Sequence, residues 1–157
     1  MGEKQSQQII QFLDGLGLEF EVIEHAPVFT SEEAARIRNA PLGHGVKAIV
    51  LSAGNSRFIL ACVSGNKKID FRKIKKFLNV SNVSLSSPAD VLQQTGCEIG
   101  SVSPFGNLFG LRTFFDKRIL ENSSVEFNIG LHTKSIRMFS KDLASAVGAE
   151  IVDLAKI

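Results

Sequence analysis

Two apolar, β-branched runs lie close together in this chain, residues 46–52 and 57–64, with only Ala53-Gly54-Asn55-Ser56 between them. They read as the two arms of a β-hairpin, and the rest of the chain has to be arranged around it. Residues 5–16 place Ile9, Leu13 and Leu16 on one helical face, and Gly15 and Gly17 stop that helix. Residues 19–24 alternate polar and apolar, the pattern of a half-buried strand. Thr30-Ser31-Glu32-Glu33 has the form of a capping box, with Thr30 as N-cap and Glu33 reaching back. The short helix it opens runs through Arg38 and ends before Pro41.

Beyond the hairpin, Asp70 caps a helix whose apolar residues Phe71, Ile74, Phe77 and Leu78 recur at helical spacing. A brief strand at 83–85 leads to Ser87-Pro88-Ala89-Asp90, a helix start with proline at the first helical position, and that helix ends near Gly96. Strands follow at 111–116, 125–129 and 135–139; Ser140 then caps a last helix to Val147, and residues 150–154 close the sheet. Helices broken up by hairpins, rather than alternating strictly with strands, predict an α/β fold with a mixed, largely antiparallel sheet. At 157 residues the chain fits one domain spanning 1–157.

The charge total, +2, says little until it is divided by position. Six cations (Lys67, Lys68, Arg72, Lys73, Lys75 and Lys76) fall within ten residues that hold one acid, Asp70. The other 147 residues carry 12 basic and 15 acidic side chains, a net −3. A solvated face opposite Phe71, Ile74 and Phe77 is the ordinary explanation of such a run. Yet it is also the one stretch where a polyanion would settle, through salt-dependent phosphate contacts. The chain has no Tyr or Trp, and most of its 12 phenylalanines look like core, so backbone docking is expected rather than base reading.

Other classes fall away quickly. Cys62 and Cys97 have no C-x-x-C spacing, and Cys62 sits in an apolar run as a small hydrophobe would. His25, His44 and His132 show no metal-ligand spacing, so neither a metal nor a cofactor is expected. No apolar run approaches the roughly 18 residues that span a bilayer, and the cytosol is the default compartment.

Three features could carry chemistry. Lys47 is the only permanently charged side chain between Arg38 and Arg57, and it opens the run Ala48-Ile49-Val50-Leu51. A strand-end lysine usually snorkels to solvent. Held at a pocket wall, its ammonium would instead bind a phosphate, a carboxylate or an ester carbonyl. The second feature is the segment Gly100-Ser101-Val102-Ser103-Pro104-Phe105-Gly106, either a tight connection or a loop aiming backbone groups at a ligand. The third, Gly130-Leu131-His132, holds a histidine with no carboxylate beside it to make it a base. No Ser-His-Asp or Cys-His signature is present, so an enzyme of this sequence would work by positioning and polar contacts.

In this order and spacing, these features resemble the YbaK family of aminoacyl-tRNA deacylases, related to the editing insertion of bacterial prolyl-tRNA synthetase. The likeness runs over nearly the whole chain. It opens on Glu24-His25-Ala26-Pro27-Val28-Phe29-Thr30 and Glu33-Ala34-Ala35, similar to the family's His-x-Pro…Thr…Glu-Ala-Ala pattern. It continues through Val46-Lys47 before an apolar strand, a Gly-x-x-x-Pro loop at Gly100–Pro104, and a Gly-x-His motif at Gly130–His132. The resemblance implies a partly barrel-like mixed sheet with surrounding helices. It also implies hydrolysis of the ester joining a small wrong amino acid (Ala, Cys, Ser or Thr) to tRNA, most typically tRNA for proline, in trans.

By the same likeness, Lys47, Gly100 and Pro104 carry the catalytic site. Thr30, Ser101, Val102, Ser103 and His132 contact or shape the substrate pocket, and the substrate's own groups assist. The implied partner is aminoacyl-tRNA, with room for a synthetase alongside and none for a membrane; the 67–76 cations are this reading's own tRNA-backbone candidates. Two departures blur the subgroup: Ala48 stands where alanine-editing relatives often carry asparagine, and Thr133-Lys134 follows His132 in place of His-Pro. A non-catalytic tRNA-binding or synthetase-associated module of the same fold is the alternative, and a small-molecule ester or amide hydrolase a third.

Overall fold

The computed structural model describes residues 2–157. Its elements run in the order α1 (Glu3–Gly15), β1 (Phe20–Glu24), α2 (Ser31–Ile37), β2 (Val46–Ser52), β3 (Phe58–Ser64), α3 (Phe71–Leu78), β4 (Ser84–Leu85) and α4 (Pro88–Thr95). There follow β5 (Arg112–Asp116), β6 (Ser124–Asn128), β7 (Lys134–Phe139), α5 (Ser140–Val147) and β8 (Glu150–Val152).

The hairpin forms as the sequence predicts, with β2 and β3 antiparallel and Lys47 opposite Val63, Val50 opposite Leu60. Around it the strands divide into two sheets. One is antiparallel, in the order β1-β7-β6; the other has the order β4-β2-β3-β5-β8, with β5 and β8 joined in parallel. A single parallel bridge, Gly45 to Glu126, ties the start of β2 to β6 and folds the two sheets toward each other. The expected mixed sheet is therefore two sheets joined at a corner.

Strand β3 is covered on both sides because successive side chains point to opposite faces. Leu60 and Cys62 enter one core, with Ile9 and Leu13 of α1, Phe105, Phe127 and Leu143. Ile59, Ala61 and Val63 enter a second, with Ile74 and Leu78 of α3, Phe114 and Leu154. Leu16, expected beside Ile9 and Leu13, falls past the end of α1 and is exposed. Phe77 is likewise half-exposed and stacks on Phe114 across 5.6 Å instead of entering the core.

The helix starts follow their capping signals. Thr30 accepts a hydrogen bond from the Glu33 amide, Asp70 from Arg72 and Ser87 from Asp90. The Glu33 carboxylate does reach back, to the Phe29 amide and the Thr30 hydroxyl. Ser140 corrects one expectation: it is the first residue of α5, not its cap, and its hydroxyl donates to the Asn122 carbonyl.

The C-terminal segment is fastened by a buried carboxylate. Asp116, fully buried at the end of β5, accepts from the Leu154 amide at 3.0 Å and the Ala155 amide at 3.2 Å. It also accepts from the Arg118 amide at 3.2 Å and pairs with the Arg118 guanidinium at 3.0 Å. Replacing it leaves two backbone donors buried without acceptors. Asp116→Ala should therefore cost about 2–3 kcal/mol, read as a lower urea midpoint with unchanged slope.

Candidate active site

Strand β2 has an open edge. β3 pairs with it throughout, whereas β4 on its other side meets only Leu51 and Ser52, and the Ser86 amide donates to the Val50 carbonyl. Residues on an antiparallel strand alternate in which neighbour they bond, so Ala48, two before Val50, turns its N–H and C=O to the same open edge. Along that edge lies a cavity of about 340 Å³, bounded by α2, β2, β4, α4, the turn 99–102 and the end of β6.

Its buried end is lined by Val46, Val50, Val91 and Val102, and its mouth by Phe29, Thr30, Leu85 and Ile99. Phe29 is 65% exposed, so the one aromatic at the mouth is among the phenylalanines that escaped the core. Its ring lies 4.5 Å from that of His132. The His132 Nδ1 faces the Val28 carbonyl at 3.1 Å, and the Val28 amide donates to the His132 carbonyl at 3.0 Å. His132 thus braces the mouth.

Lys47 lines the cavity and makes no ion pair or hydrogen bond among the described residues. Burial holds its ammonium below the usual lysine range, Glu32 pulls the other way, and Lys68 adds to the lowering. An unpaired, half-buried cation in a largely apolar cavity favours an electron-rich ligand.

The glycine turn meets the cavity at one end only. Gly100 and Val102 line it, while Ser101, Ser103 and Pro104 are buried behind them. Gly100 takes φ +89° in a turn closed by the Ser101 amide on the Glu98 carbonyl, a backbone conformation that favours glycine. Gly106 is required for another reason: a Cβ there would overlap the Thr113 hydroxyl. The Ser101 hydroxyl donates to Glu98, and the Ser103 hydroxyl accepts from the Phe105 amide. These two serines hold the segment's shape. The Thr30 hydroxyl, though at the cavity, is committed to the cap of α2.

Sequence reading missed the group that holds the turn in place. Asn128 Nδ2 donates to the Gly100 carbonyl at 2.7 Å, and its Oδ1 accepts from Arg38 Nη2 at 3.0 Å. Arg38 Nε donates to the Ser135 hydroxyl at 2.9 Å, which in turn contacts Asn128 Oδ1 at 3.2 Å and His25 Nε2 at 2.8 Å. Arg38 also lines the cavity and is 8% exposed; burial lowers its guanidinium to about 10, with nearby Glu126 opposing the shift. A signal for Asn128 existed, since it lies two residues before Gly130-Leu131-His132. Arg38 stands at the end of the predicted short helix, where no local sequence pattern marks it as inward-facing.

The basic run does not act as one surface. Lys73 bonds Asp153 at 2.9 Å and the Ala155 carbonyl at 2.8 Å, fastening α3 to the C-terminal segment. Lys68, Arg72 and Lys76 are exposed, and Lys67 and Lys75 half-buried.

A family model described as an aminoacyl-tRNA editing domain matches residues 25–146. The Multifunctional Ser/Thr-tRNA deacylase ProXp-y of Escherichia coli K12 is 28% identical over 159 residues, 99% of this chain and 95% of its own length. The prolyl-tRNA editing protein ProX of Acetoanaerobium sticklandii is 27% identical over 148 residues, 91% of this chain and 90% of its own length. A solved structure described as a candidate trans-editing enzyme for prolyl-tRNA synthetase superposes with a TM-score of 0.86 at 26% identity, over 98% of each chain.

The role given to Asn128 can be checked without substrate. Asn128→Asp removes the donor to the Gly100 carbonyl and sets a carboxylate against it, while keeping the Arg38 contact. The Gly130 amide donates to the Ser101 carbonyl at 2.8 Å and so reports attachment of the turn. Its hydrogen exchange should quicken about 10-fold in the variant, matching the loss of about one amide–carbonyl hydrogen bond; unchanged protection would show that the turn holds itself.

Proposed function

This chain belongs to the aminoacyl-tRNA editing domain family, and on that footing we propose that it hydrolyses the ester linking a small non-cognate amino acid to tRNA. The observation that carries the reading is Lys47, an unpaired cation on the wall of a cavity that shares the Gly100 turn and the Ala48 backbone edge. At about 340 Å³ the space is near the small end of ligand sites, about 300–1,000 Å³. It suits a small aminoacyl group with part of its nucleoside; alanyl, cysteinyl, seryl and threonyl esters are the candidates. The named activities of the relatives favour seryl and threonyl among these, with tRNA for proline as the carrier suggested by the prolyl editing protein.

In this reading Lys47 donates to the ester carbonyl or to the terminal phosphate. The Gly100 turn and the open edge of β2 hold the aminoacyl end, and Phe29, backed by His132, offers its ring to the terminal base. Water adds to the carbonyl carbon, the bond to the ribose oxygen breaks, and that oxygen takes up a proton as the amino acid leaves. The described residues around the cavity offer no nucleophile–base pair, so in this reading the neighbouring ribose hydroxyl helps water or proton move. Catalysis then rests on orientation and charge placement.

Docking of the tRNA backbone falls to Lys68, Arg72 and Lys76, the exposed cations of the run, and Lys68 lies within electrostatic reach of Lys47.

Two measurements test the reading. Against a panel of alanyl-, cysteinyl-, seryl- and threonyl-tRNA, the wild type should clear at least one ester, and Lys47→Ala should slow that reaction about 100-fold, the size typical of losing one charge-stabilising group. Equal activity in Lys47→Ala removes the lysine from the site, and a wild type that clears none of the four removes the function. For docking, the Lys68→Gln/Arg72→Gln/Lys76→Gln variant should lower the slope of log affinity against log salt by about 2–3; an unchanged slope places the tRNA elsewhere.

A further inference from the structure

The buried side chains that line the cavity are apolar, Ala34 and four valines, apart from two: Arg38 and Ser86. Among Val46, Val50, Val91 and Val102 sits Ser86, between β4 and α4, 7% exposed, its amide spent on the Val50 carbonyl. Its hydroxyl oxygen is shielded from solvent and has no hydrogen-bond partner among the described residues. Neighbouring Ser87 behaves differently, using its hydroxyl to cap α4. Buried hydroxyls are normally paired, because losing water without gaining a partner is unfavourable. No described residue uses the Ser86 hydroxyl; alanine would fill the same place without leaving a polar atom unmatched.

We infer that Ser86 determines specificity: its hydroxyl hydrogen-bonds a hydroxyl on the side chain of the bound aminoacyl group, so the site favours seryl and threonyl esters over alanyl. The inference rests on the deacylase reading above. A serine has three staggered χ1 positions, which let the oxygen turn to the cavity when a partner arrives. A hydroxylated side chain entering this end meets apolar side chains apart from Ser86 and Arg38, and Arg38 already spends Nε on Ser135 and Nη2 on Asn128. An alanyl group fits the same space but leaves Ser86 as it is in the free protein, so the preference comes from the hydrogen bond that only a hydroxylated side chain gains. A hydroxyl can donate or accept, so the pair forms in either sense.

Seryl- and alanyl-tRNA differ at the side chain by this one oxygen, so they make the test. The wild type should show the higher kcat/KM on seryl-tRNA. Ser86→Ala should lower kcat/KM on seryl-tRNA about 10-fold, equivalent to about 1.4 kcal/mol, with the alanyl value within about 3-fold of wild type. The melting temperature of Ser86→Ala should stay level or rise, since the substitution removes an unmatched buried group. A merely structural serine would show the reverse: both substrates impaired together and a lower melting temperature. An unchanged seryl-to-alanyl ratio, or a wild type with no preference for seryl-tRNA, overturns the inference and leaves the deacylase reading standing. A wild type inactive on all four esters of the panel overturns both.

Discussion

A strand paired on one edge and open on the other creates an obligation, because backbone N–H and C=O groups are rarely left without partners. Strand β2 is in that position. β3 pairs with its full length, β4 stops after two residues, and the bridge at Gly45 anchors it to the second sheet. The cavity is the space that this arrangement leaves along residues 46–50. Lys47 is half-buried because it stands on this edge, and the Gly100 turn borders the cavity because Asn128, at the end of the adjoining sheet, holds its carbonyl. The site is therefore a property of where pairing ends, more than of any loop.

What was legible in the sequence was what neighbours in sequence decide. The hairpin showed in two apolar runs and a short turn, the helix starts showed in Thr30, Asp70 and Ser87, and Lys47 showed as an isolated charge in an apolar run. Ser140 misled because a serine before a helix reads as a cap, while here tertiary packing offers its hydroxyl the Asn122 carbonyl. The network of His25, Arg38, Asn128 and Ser135 was not legible, since its members are up to 110 residues apart and no local pattern marks them. The same holds for Ser86. Its importance lies in an unpaired oxygen, which only a three-dimensional inventory of partners can expose.

Charge gives a parallel lesson. Counted along the chain, residues 67–76 form one basic block. In space Lys73 fastens the fold at a half-exposed ion pair, neutralising Asp153, whose carboxyl Lys73 and then Arg118 hold down to about 2. Lys68 turns out to be an electrostatic neighbour of Lys47. The division between docking cations and a separate site lysine, natural in one dimension, softens in three. A polyanion reaching the exposed cations would arrive with the cavity lysine already in its field.

The clasp at Asp116 sets an order of events for a chain that leaves the ribosome from its N-terminus. Its buried carboxylate depends on amides 38 and 39 residues downstream. Until those residues emerge, β5 has a charged side chain facing an unfinished core and no β8 beside it. The antiparallel sheet β1-β7-β6 needs no residue beyond Phe139, so it can close earlier. One wall of the molecule can thus close before the other, and the basic helix α3, moored through Lys73 to Asp153 and the Ala155 carbonyl, takes its final position only once that segment is in place.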